Sequence, residues 1–477
     1  MHYALLALVL LLLQPCTVLA VHECGAPHEK SGTGDTQHSH GCTGLRTTDF
    51  FYGDPRADAP ELAARGEFAV GVRRVEVIHP DQLDILQFTE ETPEPRYNRP
   101  LTLEIWYPAK LHAGESQITT YQDVLGHGAD NPERPNLPFA FGGRAARGAE
   151  ALTDAEPRPL VIVSHGYSGS RVLLTWLTEN LASKGYIVVA IDHTESTHGD
   201  AGPIQSSLIH RPRDINFALQ AIAEASLPGL VFMRGLVDAQ RTAVVGYSMG
   251  TYGALSAAGV GVSEAAALHP GPVPGGHLAT LQFGNPQYQA MLDNRIVAQV
   301  LFAPYAPAGF WSEEGIAALS IPTFIVVGSE DQTTSFSAAQ RLFDQAVSAQ
   351  RYMLVYLNAI HEVAPNPAPP LAQQHFREYI HYQEPAWDNR RLNNINQHFI
   401  TAFLGVHLQH NQERYAPYLD IPVVSSKTPR TDMAHPDYWR GFLPWTAIGM
   451  ELHHREPAPA RAAVDAGAAG GLPALGS

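Results

Sequence analysis

Six short, nearly unbroken apolar runs punctuate the middle of the sequence: 159–164 (PLVIVS), 186–192 (YIVVAID), 242–245 (TAVV), 297–303 (VAQVLFA), 322–327 (PTFIVV) and 352–357 (YMLVYL). A run without polar alternation suits a strand covered on both faces. Stretches of helical texture lie between them: 171–184, closed by Gly185 as its C-terminal cap, a segment opened by Asp214 (DINFALQAIAEA), and 249–258. Strands alternating with helices predict an α/β fold, a mainly parallel sheet with helices on both faces. Two earlier segments, 67–79 and 100–107, read as strands. From Asp388 to about Leu408 a helix presents Leu392, Ile395, Phe399 and Phe403 on one face.

Composition narrows the function. Of 477 residues 45% are hydrophobic and 16% charged, a globular balance. The net charge of −16 gives no field to draw the chain to nucleic-acid phosphates or anionic lipid. Beyond the N-terminus no stretch approaches the ~18 uninterrupted apolar residues of a membrane span. Nucleic-acid binding and integral membrane function are set aside.

The ends differ from the middle. Residues 4–13 (ALLALVLLLL) are followed by Val18-Leu19-Ala20, which fits a signal peptide over 1–20 cleaved after Ala20, with an uncleaved anchor as the alternative. Export to a secreted or periplasmic location follows from that reading. A leader over 21–65 holds His22, His28, His38 and His40 with Cys24 and Cys42. The two cysteines are read as a disulfide or free thiols rather than metal ligands, because their spacing matches no compact zinc module. One catalytic domain is expected over 66–455, with insertions at about 110–157 and 259–296. The Ala/Gly/Pro tail 456–477 has a disordered composition.

The chemistry centres on Gly246-Tyr247-Ser248-Met249-Gly250, which stands between an apolar run and a helix-forming stretch. This is a nucleophile elbow, G-x-S-x-G, in a strand–turn–helix context. A serine hydroxyl needs a positioned base. Asp331 follows the 322–327 strand after a Gly turn, and His361 follows the 352–357 strand. Both therefore stand at the sheet edge where the elbow stands, giving the triad Ser248–Asp331–His361, with Glu330 as the alternative acid. Two backbone donors are expected for the oxyanion: Met249 N–H, next after the nucleophile, and Tyr167 N–H in the turn 164–171 (SHGYSGSR). Phe310, Trp311 and Trp176 are candidates to line an acyl pocket or to be ordinary core. His193, Glu195 and His198 are read as hydrogen-bonded loop residues rather than metal ligands. No metal or cofactor is expected.

In that order, SHGYSGSR, GYSMG, GSEDQTT and AIHEV resemble the α/β-hydrolase superfamily. Within it the chain is similar to the bacterial predicted dienelactone hydrolase group and to platelet-activating-factor acetylhydrolases, over roughly 66–454. The resemblance implies hydrolysis of a small-molecule or lipid carboxylic ester without a cofactor. True dienelactone hydrolases use a cysteine where Ser248 stands, which departs from that substrate. An amidase or peptidase with the same triad, or an inactive binding protein on this fold, are the alternatives.

Overall fold

The computed structural model describes residues 46, 49–153, 156–269, 271 and 273–459. The leader cysteines, the signal-peptide stretch and most of the tail lie outside the described residues. The sheet is built from β1 (Ala69–Leu83), β2 (Arg96–Lys110), the short β5 (Ala146–Arg147) and β6 (Glu150–Ala151), β7 (Arg158–Ser164), β8 (Ile187–Asp192), β9 (Val237–Tyr247), β10 (Ile296–Phe302), β11 (Thr323–Gly328), β12 (Arg351–Tyr356) and β13 (Met450–Arg455); β3 (Thr119–Leu125) and β4 (Leu137–Gly143) pair apart from it. Its order is β13-β12-β11-β10-β9-β7-β8-β2-β1-β5, with β6 on β2. From β8 through β7, β9, β10 and β11 to β12 all neighbours are parallel. β2 joins β8 antiparallel, β1 joins β2 antiparallel, and β13 closes the far edge antiparallel.

The unbroken apolar runs are explained by two cores. Along β7, Leu160 and Ile162 belong to one and Val161 and Val163 to the other. The first core includes Leu208, Ile215 and Leu219 of the helix Ile204–Glu224 and Tyr252 and Leu255 of the helix Met249–Ala257. The second includes Trp176 and Leu181 of the helix Thr175–Ser183 and Leu392, Ile395, Phe399 and Phe403 of the helix Asn389–His407. Asp388 caps that last helix, accepting Arg391 N–H at 2.9 Å.

Three expectations are corrected. The helix expected to open at Asp214 begins at Ile204 and carries Pro212 inside it. Pro212 has no N–H for the Leu208 carbonyl four residues back, and the Tyr252 hydroxyl donates to that carbonyl instead, at 2.5 Å. Residues 110–157, whose sequence shows no strong period and reads as a surface insertion or a segment packed near the site, hold a hairpin: β3 and β4 pair over seven residues each. Tyr121 anchors it, accepting from Trp106 Nε1 and donating to Glu179 Oε1, both at 2.7 Å. Packing also starts before Gly66. Phe51, Leu62 and Ala63 are buried and Asp54 pairs with Arg144. Phe51 stands in Phe50-Phe51-Tyr52 and Leu62 before Ala63-Ala64, apolar runs too short to show a period.

Candidate active site

The elbow is made by close contact. A Cβ on Gly250 would stand 1.9 Å from the Ser164 carbonyl oxygen of β7, and one on Gly246 would stand 2.6 Å from the Gly250 backbone. Only glycine lets the turn fold that tightly against its neighbours. Ser248 is held at φ 51°, ψ −117°, a strained conformation that projects its hydroxyl off the sheet edge. Its own N–H donates to the Phe302 carbonyl at 2.9 Å, fixing the elbow to the end of β10.

His361 stands between the other two residues. Its Nε2 lies 2.9 Å from Ser248 Oγ and its Nδ1 2.9 Å from Asp331 Oδ2. A carboxylate only accepts, so Nδ1 carries the proton and Nε2 is the acceptor for the serine hydroxyl. Asp331 is kept ionised. Burial pushes its carboxyl up, but His361 and Thr334 outweigh that and hold it below the usual range. Oδ1 accepts the N–H groups of Thr333 (2.8 Å) and Thr334 (3.0 Å), and Oδ2 accepts from Thr334 Oγ1 (2.9 Å). Glu330, the alternative acid, is exposed, whereas Asp331 is buried.

Two features support the histidine loop, of which the sequence showed only the first, as a Gly turn. Gly328 lets the loop cross the acid turn, since a Cβ there would meet the Ile360 carbonyl oxygen at 2.2 Å. Glu384, fully buried, accepts the Ile360 N–H at 2.7 Å, next to His361. Its only sequence signal is a carboxylate beside Pro385 in a polar segment.

Met249 is the first residue of the elbow helix, so its N–H has no intrahelical acceptor. Gly166 and Tyr167 line the same cleft as Ser248 and His361, a hollow of about 390 Å³. Larger hollows lie around Arg213 (about 460 Å³), Pro417 (about 970 Å³), Arg144 (about 410 Å³) and Arg73 (about 520 Å³), but none of these is lined by a triad residue. The rim of the cleft comes from Arg134, in the β3–β4 connection, and from Arg377, Ile380 and His381. Glu378 joins the two segments, taking Arg134 in a two-point pair (2.6 and 3.0 Å) and the Gly126 N–H at 3.0 Å. The 259–296 segment, read as an insertion, does not line this cleft. Nor do Phe310, Trp311 and Trp176. Trp176 is fully buried with its Nε1 on the Ala364 carbonyl, and Trp311 packs against Tyr252.

His193, Glu195 and His198 are bound into a polar layer beneath the 164–170 turn. His193 Nδ1 meets Asp214 Oδ2 at 3.0 Å and Nε2 meets Ser164 Oγ at 2.8 Å. This second Ser–His–Asp chain is wholly buried and no substrate can reach it. Glu195 pairs with Arg99, and His198 bonds Ser168 Oγ at 3.1 Å. Burial lowers His193 to about 4, Arg211 adding to the effect, so it is neutral. Among the described residues no group of three His, Cys, Asp or Glu is placed to hold a metal ion, and no helix is long and apolar enough to cross a membrane.

The chain is similar to known proteins. The PET hydrolase-like (PETase) family model matches residues 152–274. Cutinase est1 of Thermobifida alba is 36% identical over 97 residues, 20% of this chain and 28% of that protein. Cutinase 2 of Thermobifida cellulosilytica is 36% identical over 97 residues, 20% of this chain and 32% of that protein. The matches thus span about a third or less of these relatives. A ferulic acid esterase from Streptomyces cinnamoneus shares the fold with a TM-score of 0.50 at 19% identity, over 83% of this chain and 100% of that one. Strand order, elbow geometry and these likenesses together place the chain in the α/β-hydrolase superfamily.

Proposed function

We propose that the chain is a serine hydrolase cleaving a carboxylic ester. The observation that carries this is His361, held 2.9 Å from Ser248 Oγ on one side and 2.9 Å from Asp331 on the other, at the mouth of a cleft. Ser248 Oγ attacks the ester carbonyl as its proton passes to His361 Nε2. Asp331 keeps the imidazole in the productive tautomer and stabilises the imidazolium. The oxyanion is taken by the Met249 and Tyr167 N–H groups. Collapse of the tetrahedral intermediate expels the alcohol, which receives the proton from His361. Water, deprotonated by the same nitrogen, then releases the acid and restores Ser248.

The cutinase and PET hydrolase-like similarities support an ester as substrate; the acetylhydrolase resemblance extends the reading to lipid esters. In this reading the enzyme acts outside the cytoplasm, after cleavage near Ala20. Labelling with a fluorophosphonate, then turnover of p-nitrophenyl esters against a matched anilide, tests it. The expected result is labelling and ester turnover that both vanish in Ser248→Ala. Labelling that persists in that variant, or faster turnover of the anilide, refutes it.

A further inference from the structure

A buried cation stands behind the turn that carries Tyr167. Arg211, on the helix Ile204–Glu224, is fully buried. Its Nη1 donates to the His165 carbonyl and reaches Ser164 Oγ at 3.3 Å; its Nη2 donates to the Gly166 carbonyl at 3.0 Å and to Ser196 Oγ at 2.5 Å. These partners are carbonyls and hydroxyls. The one carboxylate on the same stretch of helix, Asp214, is committed to Arg99 (3.0 and 3.1 Å) and to His193. Burying a guanidinium without its own carboxylate is costly, and a neutral side chain would fill the space with less penalty. What a guanidinium adds is a rigid fork of donors, spread here over two consecutive carbonyls.

The second of those carbonyls decides the function. Gly166 C=O and Tyr167 N–H belong to one peptide unit, and that unit is trans. In a trans unit the two groups point in opposite directions. Drawing the carbonyl back onto Arg211 therefore aims the N–H away from the polar layer. The turn abuts the nucleophile, since a Cβ on Gly166 would stand 3.5 Å from Ser248 Cβ. A second donor, His165 Nδ1, meets the same carbonyl oxygen at 2.6 Å, and His165 Nε2 accepts the His193 N–H at 3.2 Å. Donors on a carbonyl also polarise its amide and make the N–H a stronger donor.

We propose that Arg211 is a positioning residue of the oxyanion hole: it clamps the His165 and Gly166 carbonyls and so aims and polarises the Tyr167 N–H. The proposal rests on the reading of Ser248 as nucleophile and Tyr167 N–H as oxyanion donor.

The test compares a p-nitrophenyl ester with its thionoester, whose sulfur is a poor acceptor and gains little from an oxyanion hole. Wild type and Ser248→Ala are measured first. Activity that survives in Ser248→Ala refutes the hydrolase reading itself, and the Arg211 proposal with it. In Arg211→Met, kcat for the ester should fall about 10–100-fold, less than the ~10²–10³ of a donor removed outright. KM should stay within about two-fold, and the preference for ester over thionoester should shrink by the same factor as kcat. Arg211→Lys, which keeps the charge but can reach fewer acceptors, should recover part of the loss. Equal losses on ester and thionoester would show a structural role and overturn the proposal. So would a lowered Tm with unchanged kcat. Should Arg211→Met fail to fold, Ser196→Ala decides. It removes one anchor of the guanidinium and should reduce the ester preference several-fold. An unchanged preference there also overturns the proposal.

Discussion

Asp331→Asn probes the site at its most specific point, because the two oxygens of Asp331 face different partners. Oδ1 accepts two backbone N–H groups, from Thr333 at 2.8 Å and Thr334 at 3.0 Å, while Oδ2 faces His361 Nδ1 at 2.9 Å. Asparagine keeps the shape but must choose an orientation. With its nitrogen toward the two backbone donors it would leave both unpaired, at about 1–3 kcal/mol each. Its oxygen therefore stays on them and its nitrogen turns to His361. That nitrogen can only donate, so His361 Nδ1 becomes an acceptor and the ring proton moves to Nε2. Nε2–H cannot take the proton of Ser248. A wrong tautomer costs a Ser–His–Asp triad about 10⁴ in kcat, or roughly 5 kcal/mol at about 1.4 kcal/mol per decade. The assay is kcat on a p-nitrophenyl ester, with thermal unfolding to show that the variant folds. Glu330→Gln is the control. Its side chain is exposed and should change kcat by less than about two-fold. A loss of less than about ten-fold in Asp331→Asn, or a larger loss in Glu330→Gln, would refute the reasoning.

Three further outcomes are expected. Tyr252→Phe removes the hydroxyl bonded to the Leu208 carbonyl that Pro212 leaves open, so it should destabilise the protein by about 1–3 kcal/mol and lower Tm by a few degrees; an unchanged melt would mean the carbonyl finds another donor. Gly250→Ala places a Cβ 1.9 Å from the Ser164 carbonyl, backbone that cannot yield, and should cost at least about 1–3 kcal/mol together with slower fluorophosphonate labelling; wild-type Tm and labelling would show that the elbow can shift. Stability should also fall as pH drops from about 6.5 toward 4. Burial holds His79, His193, His381 and His407 at about 4, and His165 and His198 well below 6.5, so over that window the unfolded chain binds more protons. Asp123 and Glu362, both raised to about 7 by burial, act in the opposite sense but are fewer. Melts across pH 4–7 check this, and a flat Tm would refute it.

The sheet was legible because its signal is local. Every strand of the parallel block showed as an apolar run, and the observed bounds differ from the expected ones by single residues except in β9, which begins at Val237 rather than Thr242. The positions of Ser248, Asp331 and His361 were legible for a related reason. Each stands just beyond the C-terminal end of a strand, β9, β11 or β12, so a parallel sheet brings all three to one edge. The rim of the cleft was not legible. Arg134 and Glu378 are 244 residues apart, and nothing in either segment's composition marks the other as its partner. Glu384 was hidden in the same way, since its work is to accept backbone N–H groups, from Ile360 at 2.7 Å and from Ala386 at 2.9 Å.

The start of the Ile204–Glu224 helix was missed because two local rules agreed on the wrong answer: Pro212 reads as a breaker and Asp214 as a cap. Tertiary contacts overrule both. Tyr252 supplies the donor that Pro212 lacks, and Asp214 spends its carboxylate on Arg99 and His193 instead of on a helix end. The override has a consequence for the site. Tyr252 lies on the elbow helix that Met249 opens, and its hydroxyl ties that helix to the one carrying Arg211. The Tyr167 turn is clamped from the second helix and the Met249 N–H projects from the first. One hydrogen bond at an otherwise orphaned carbonyl thus couples the supports of both donors, which is why a proline in mid-helix is tolerated beneath a site that needs fixed geometry.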